Sequence, residues 1–184
     1  FPRSVRSVFA SSQFEVFRTI EMLLAFPEYE TPLPYGRRAS QSDVFVLAKG
    51  IGNLVSITVE GKVSEPFDKV VSEWTDPPPS RKGERLQYLC DCLGLGPAEV
   101  DSIRYQLLHR TVSALTEADK FGASHALMMI HSFSQINEWF DDFEQFVALF
   151  GARAEVDSIV YAPRHRSVPP RFTGVDLYLG WVRG

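Results

Sequence analysis

Apolar and polar positions alternate strictly from Leu54 to Val63, with Val55, Ile57, Val59 and Val63 on one side and Ser56, Thr58, Glu60 and Lys62 on the other. A period of two marks a strand with one face buried. The apolar segment Asp43-Val-Phe-Val-Leu-Ala48 just before it predicts a second strand, and Lys49-Gly-Ile-Gly-Asn53 between them has the glycines and asparagine of a hairpin connection. His125 to Phe133 is a nearly continuous apolar run bounded by Gly122. Such a run predicts a strand covered on both faces and lying parallel to a neighbour. Val175, Leu177, Leu179 and Trp181 alternate again and predict a last strand near the C-terminus.

Helical spacing fills the intervals. Ser12-Gln-Phe-Glu15 reads as a capping box, and Phe14, Phe17, Ile20 and Leu24 predict a helix that ends at Phe26, before Pro27. Glu21 would lie beside the apolar face of that helix, a costly place for a carboxylate without a partner. Residues 27–42 read as a Pro- and Gly-rich loop carrying Arg37 and Arg38, and Thr75 to Arg85 as a second loop whose prolines hold Arg81, Lys82 and Arg85 out to solvent. Leu86 to Leu93 predicts a helix stopped by Gly94-Leu-Gly-Pro97. The following helix runs to about Phe121, with Ile103, Leu107, Ala114, Leu115 and Ala118 as its apolar stripe and Gln106, Arg110, Ser113 and Glu117 on a separate face. Gln135 to Phe150 predicts an aromatic amphipathic helix, followed by an Arg-bearing tail from Arg153 to Arg171 that includes Arg164-His-Arg166. No heptad seam, internal repeat or glycine-rich phosphate loop interrupts this order.

The hairpin carries the chemistry. Glu60 and Lys62, two apart on a strand, point the same way, and a turn centred near Ile51 sets Asp43 opposite residues 58–60, within the roughly 4.5–5.5 Å of facing Cβ atoms. Two carboxylates so placed suit a hard divalent ion such as magnesium, which keeps water and phosphate oxygens as its remaining ligands. A neighbouring ammonium would serve an attacking water and offset charge building on a phosphoryl group. Asp43 followed by sixteen residues and then Glu60-Gly61-Lys62 resembles the signature of the PD-(D/E)xK phosphodiesterase superfamily, the restriction-endonuclease-like nucleases. One position departs from the pattern, with Ser42 where that family has proline before the aspartate.

The resemblance implies an α/β fold with a mixed central sheet flanked by helices. Its core, about residues 12–133, would run helix, antiparallel meander, helix, strand, and residues 134–184 would add a C-terminal helix and strand to a single domain spanning 1–184. It implies magnesium or manganese held by Asp43, Glu60 and the Gly61 carbonyl, with Lys62 serving the water. Glu21 would be a third acid from the first helix, and Gln106 and Arg110 on the later helix, with Arg81 and Lys82, would meet a DNA or RNA substrate. The expected activity is metal-dependent phosphodiester hydrolysis. The alternatives are a catalytically silent protein of the same fold that binds a partner or nucleic acid, and an unrelated α/β domain in which the motif is coincidence.

Composition bounds these readings. With 184 residues, 45% of them hydrophobic and 12% aromatic, the chain is long enough for one good core. No apolar run approaches the roughly 20 residues of a membrane helix. Cys90 and Cys92, two apart on a helix, face different ways and are expected as reduced structural thiols, which with the lack of a signal-type segment points to the cytoplasm. His125 and His131 lie six apart on one strand, too far to share a metal. The net charge of −4 argues against uniform attraction to nucleic acid, so a polyanion would have to be held by a local cluster of the loop arginines.

Overall fold

The computed structural model describes residues 1–77, 80–164 and 166–184. Its elements run α1 (Arg3–Ser11), α2 (Glu15–Arg18), β1 (Glu21–Thr31), β2 (Ser40–Gly50), β3 (Asn53–Lys62), α3 (Val71–Trp74), α4 (Arg81–Leu93), α5 (Tyr105–Phe121), β4 (His125–Ser132), α6 (Phe140–Ala148), β5 (Ser158–Tyr161) and β6 (Asp176–Arg183). The six strands form one mixed sheet in the order β1-β2-β3-β4-β6-β5. The first three make an antiparallel meander, β4 lies parallel to both β3 and β6, and β5 closes the far edge antiparallel to β6. This is the α/β class read from the sequence, a mixed sheet flanked by helices.

Parity along the strands decides which side each residue serves. Val55, Ile57, Leu127 and Met129 pack with Val5, Phe9 and Phe17 of α1 and α2 on one face. Ala126, Met128, Ile130, Leu179 and Trp181 pack on the other with α4, α5 and α6. The continuous apolar run of β4 follows from this double burial. The β2–β3 hairpin closes through Ile51 and Gly52, both with positive φ, which is the two-residue geometry whose twist matches the flanking strands.

The first predicted helix is largely a strand. The predicted capping box does not form, since the single turn of α2 begins at Glu15 after Phe14 with no side-chain cap, and residues 21–31 form β1, so the loop expected over 27–42 shortens to the residues between Thr31 and Ser40. β1 is a sheet edge and eight of its first residues, Glu21 to Glu28, are exposed. Without a buried face it has no period-2 signal, and Met22, Leu23, Leu24 and Phe26 are as compatible with helix as with strand. Pro27 is tolerated because an edge strand can spare an N–H. A second correction concerns Thr75 to Arg85: Ser80 accepts from the Gly83 amide at 3.1 Å, and this cap starts α4 at Arg81. Of that predicted loop, residues 78 and 79 lie outside the description, as does His165 of the predicted basic tail.

Candidate functional site

The hairpin register brings the predicted triplet together. Val44 pairs with Val59, so Asp43 stands one step further out, level with Glu60. Lys62, on the same face, places its Nζ 3.2 Å from Glu60 Oε1. Ser56, Thr58, Glu60 and Lys62 turn toward α5 and are all buried, with Glu60 5% and Lys62 4% exposed. This polar face of β3 is matched by the polar face of α5: the Ser56 hydroxyl donates to the Ala114 carbonyl at 2.8 Å and that of Thr58 to the Arg110 carbonyl at 3.2 Å. The helix face of Gln106, Arg110, Ser113 and Glu117 is therefore a seam against the sheet. Glu117, 1% exposed, accepts from the Tyr29 hydroxyl and pairs with Lys120.

Gln106 and Arg110 both turn to Glu60. The Gln106 amide donates to Oε1 at 2.6 Å and the Arg110 Nε to Oε2 at 2.6 Å, so with Lys62 the carboxylate carries three donors, two of them cations. Asp43 is spent differently: its Oδ2 accepts from the Gly61 amide at 2.7 Å, satisfying backbone beyond the last ladder pair. It is thus the amide of Gly61 that meets the acid. Glu21 is not near this cluster. It is an exposed residue of β1 paired with Lys49, at the opposite end of the β1–β2 ladder from Ser40. The β1 residue between the pairs on either side of Asp43 is Glu28, whose carboxylate accepts from the Gln41 amide.

As arranged, these residues do not fit a divalent metal. Lys62 and Arg110 both pair with Glu60, so a metal on Glu60 would have to displace donors already in place. Among the described residues no group of three or more His, Cys, Asp or Glu side chains could hold a metal ion.

The network leads outward to a cleft. Arg110 Nη1 donates to Ser40 Oγ at 3.0 Å, and the same hydroxyl lies 2.8 Å from His109 Nδ1. Ser40 and His109 floor a cleft of about 700 Å³ whose walls include Arg37, Arg38, Arg81, Lys82, Trp74 and Tyr105. Lys82 pairs with Asp76 at 3.1 Å. Arg37, Arg38 and Arg81 make no ion pair among the described residues and are exposed. Arg85, which the sequence placed on an exposed loop, is 4% exposed: it donates to the carbonyls of Leu33 and Pro34 at 2.6 and 2.9 Å and to the Tyr105 hydroxyl at 3.2 Å. It thereby fastens the segment carrying Arg37 and Arg38 to α4 and α5.

His109 was not singled out in the sequence, where nothing distinguishes it from other helix residues. Burial, and then the nearby charges of Arg110 and Arg85, hold its imidazole well below the usual 6.5. The neutral ring can accept the Ser40 proton while Ser40 accepts from Arg110. Because the folded value is depressed, the unfolded chain binds the proton first, and this group lowers stability as pH falls below about 6.5. Stability to urea is expected to fall between pH 7 and 5, and His109→Gln should reduce that dependence.

The other predicted features are structural. Cys90 and Cys92 are buried free thiols, pushed up to about 12 and about 11 mainly by burial. Of the aromatic helix predicted over 135–150 only Phe140–Ala148 is helical, and Phe143 and Phe146 within it and Phe150 just beyond it are in the core. No helix among the described residues is long and apolar enough to cross a membrane. A family model described as a domain of unknown function, DUF6946, matches residues 1–184. No curated protein and no solved structure matches the chain.

Proposed function

We propose that this chain, which belongs to the DUF6946 family, binds nucleic acid through the cleft above Ser40 and keeps Asp43, Glu60 and Lys62 as structural groups. The observation that carries the reading is the convergence of Arg37, Arg38 and Arg81, exposed and without ion-pair partners among the described residues, on one aromatic-lined cleft of a chain with net charge −4. Exposed guanidinium groups gathered at a concavity offer an anionic ligand charge-assisted hydrogen bonds. Aromatic side chains among them favour one that carries bases. The order helix, three-strand antiparallel meander, helices, parallel strand supports the catalytically silent nuclease-like alternative over an unrelated domain.

Binding of fluorescein-labelled DNA and RNA oligonucleotides, measured at several salt concentrations, tests this. The expected result is affinity that falls steeply with salt, and an Arg37→Ala/Arg38→Ala variant that weakens every oligonucleotide and lowers the salt slope by about 1–2. Undetectable binding at about 50 mM salt would sink the proposal.

A second reading, metal-dependent phosphodiester hydrolysis, is favoured by one observation: Asp43 stands level with Glu60 and Lys62 shares the face of Glu60. Cleavage of DNA or RNA in magnesium or manganese, abolished by both Lys62→Ala and Asp43→Ala, would replace the binding reading with this one.

A further inference from the structure

We infer that the cleft takes unpaired nucleotides, a single strand or a frayed end, and that Trp74 is the platform on which a base stacks. The inference rests on the nucleic-acid reading above and names the substrate class. Trp74, the last residue of α3, is half-buried and stacks on Tyr105 with ring centroids 3.7 Å apart and planes 11° apart. Tyr105 is itself buried and held by the Arg85 guanidinium at 3.2 Å, so the indole rests on a fixed backing. One face of the indole is thus covered, and the Lys82 ammonium stands 5.8 Å from the ring centroid. The Lys82 side chain is 44% exposed and among the described residues pairs only with the exposed Asp76, so a base can take its place while the ammonium turns to a phosphate. Arg37, Arg38 and Arg81 line the same cleft, which puts cations for a sugar–phosphate backbone around an aromatic surface for a base.

Size and access decide between single strand and duplex. A cleft of about 700 Å³ falls within the ~300–1,000 Å³ typical of sites for small ligands, enough for one or two nucleotides. In a duplex each base is already stacked and its face is closed to an aromatic side chain unless it is flipped out, which costs a few kcal/mol. An unpaired base incurs no such cost. Aromatic stacking is also tolerant of base identity, so the cleft is assigned to strand state and not to sequence.

The experiment compares anisotropy titrations of a single-stranded oligonucleotide and its blunt duplex, for wild type, Trp74→Leu and Trp74→Tyr, with inorganic polyphosphate as a competitor that has charge but no bases. The single strand is expected to bind at least about ten-fold tighter than the duplex. Trp74→Leu should lose about ten-fold on the single strand and little on the duplex, and Trp74→Tyr, which keeps a ring on Tyr105, should retain the preference. Equal affinity for both forms, polyphosphate competing as well as the oligonucleotide, or a neutral Trp74→Leu would overturn this inference and leave the arginine-based reading standing. Failure of every oligonucleotide to bind would overturn both.

Discussion

Glu60→Ala is expected to lower stability by about 3–5 kcal/mol, the usual result of deleting one partner from a buried ionic cluster. The loss comes from what is left behind. Lys62 has a side chain 5% exposed and Arg110 one 12% exposed, and without the carboxylate the two are left together with no counter-charge between them. Gln106 loses its acceptor as well. Urea unfolding monitored by tryptophan emission gives the size of the change, and Glu21→Ala, an exposed residue of the same charge, should stay within about ±0.5 kcal/mol. The sign is informative about function. Two acids poised for an absent metal repel one another, so removing either would stabilise the protein without metal. Here the counter-charges are built in, and removal destabilises. Arg110→Ala combined with Glu60→Ala should cost less than the sum of the two single changes, because the double variant strands Lys62 alone and not two cations side by side.

Arg85→Met is the second large effect, about 2–4 kcal/mol, and it reaches the cleft. Among the described residues no acid pairs with Arg85; its donors go to the carbonyls of Leu33 and Pro34 and to Tyr105 Oη, so methionine leaves three buried or half-buried acceptors without their charged donor. The aliphatic stem is replaced, which confines the loss mainly to hydrogen bonding. The segment between Thr31 and Ser40 is then untied from α4 and α5, and oligonucleotide affinity is expected to fall with stability. A variant that loses stability yet binds as wild type does would show that Arg37 and Arg38 need no such anchoring. Gly36 is part of the same arrangement: a Cβ there would lie 2.4 Å from Arg85 Nη1.

The sequence revealed those elements whose burial is periodic. β2, β3, β4 and β6 each have at least one face in the core, and the alternation or continuous apolar run records it directly. β1 has no such record, because its side chains face water. β5 is four residues long, Ser158–Tyr161, too short for alternation to emerge from the tail. The juxtaposition of Asp43, Glu60 and Lys62 was legible because a two-residue turn fixes register for the whole hairpin. What those groups do was not. Gln106 and Arg110 recur at helical spacing like any solvated pair, and only the docking of α5 against β3 turns them onto Glu60. The cleft was half legible: its arginines were visible as loop residues, but Arg85 showed its burial, and Trp74 its backing by Tyr105, only once α3, α4 and α5 were placed.

The polar seam between β3 and α5 also orders events in time. Glu60 meets Gln106 and Arg110 across sequence separations of 46 and 50 residues, with α3 and α4 in between. While the chain is collapsing, Glu60 and Lys62 keep their hydration, since shedding it before α5 arrives would strand both charges. The hairpin can close locally, but the parallel joining of β3 to β4 waits on the same crossover. The ionic contacts are therefore expected to form on the native side of the folding barrier, which φ-values near zero at Glu60 and Arg110 would show. Weakening them shortens the lifetime of the folded molecule while leaving the rate at which it is reached almost untouched.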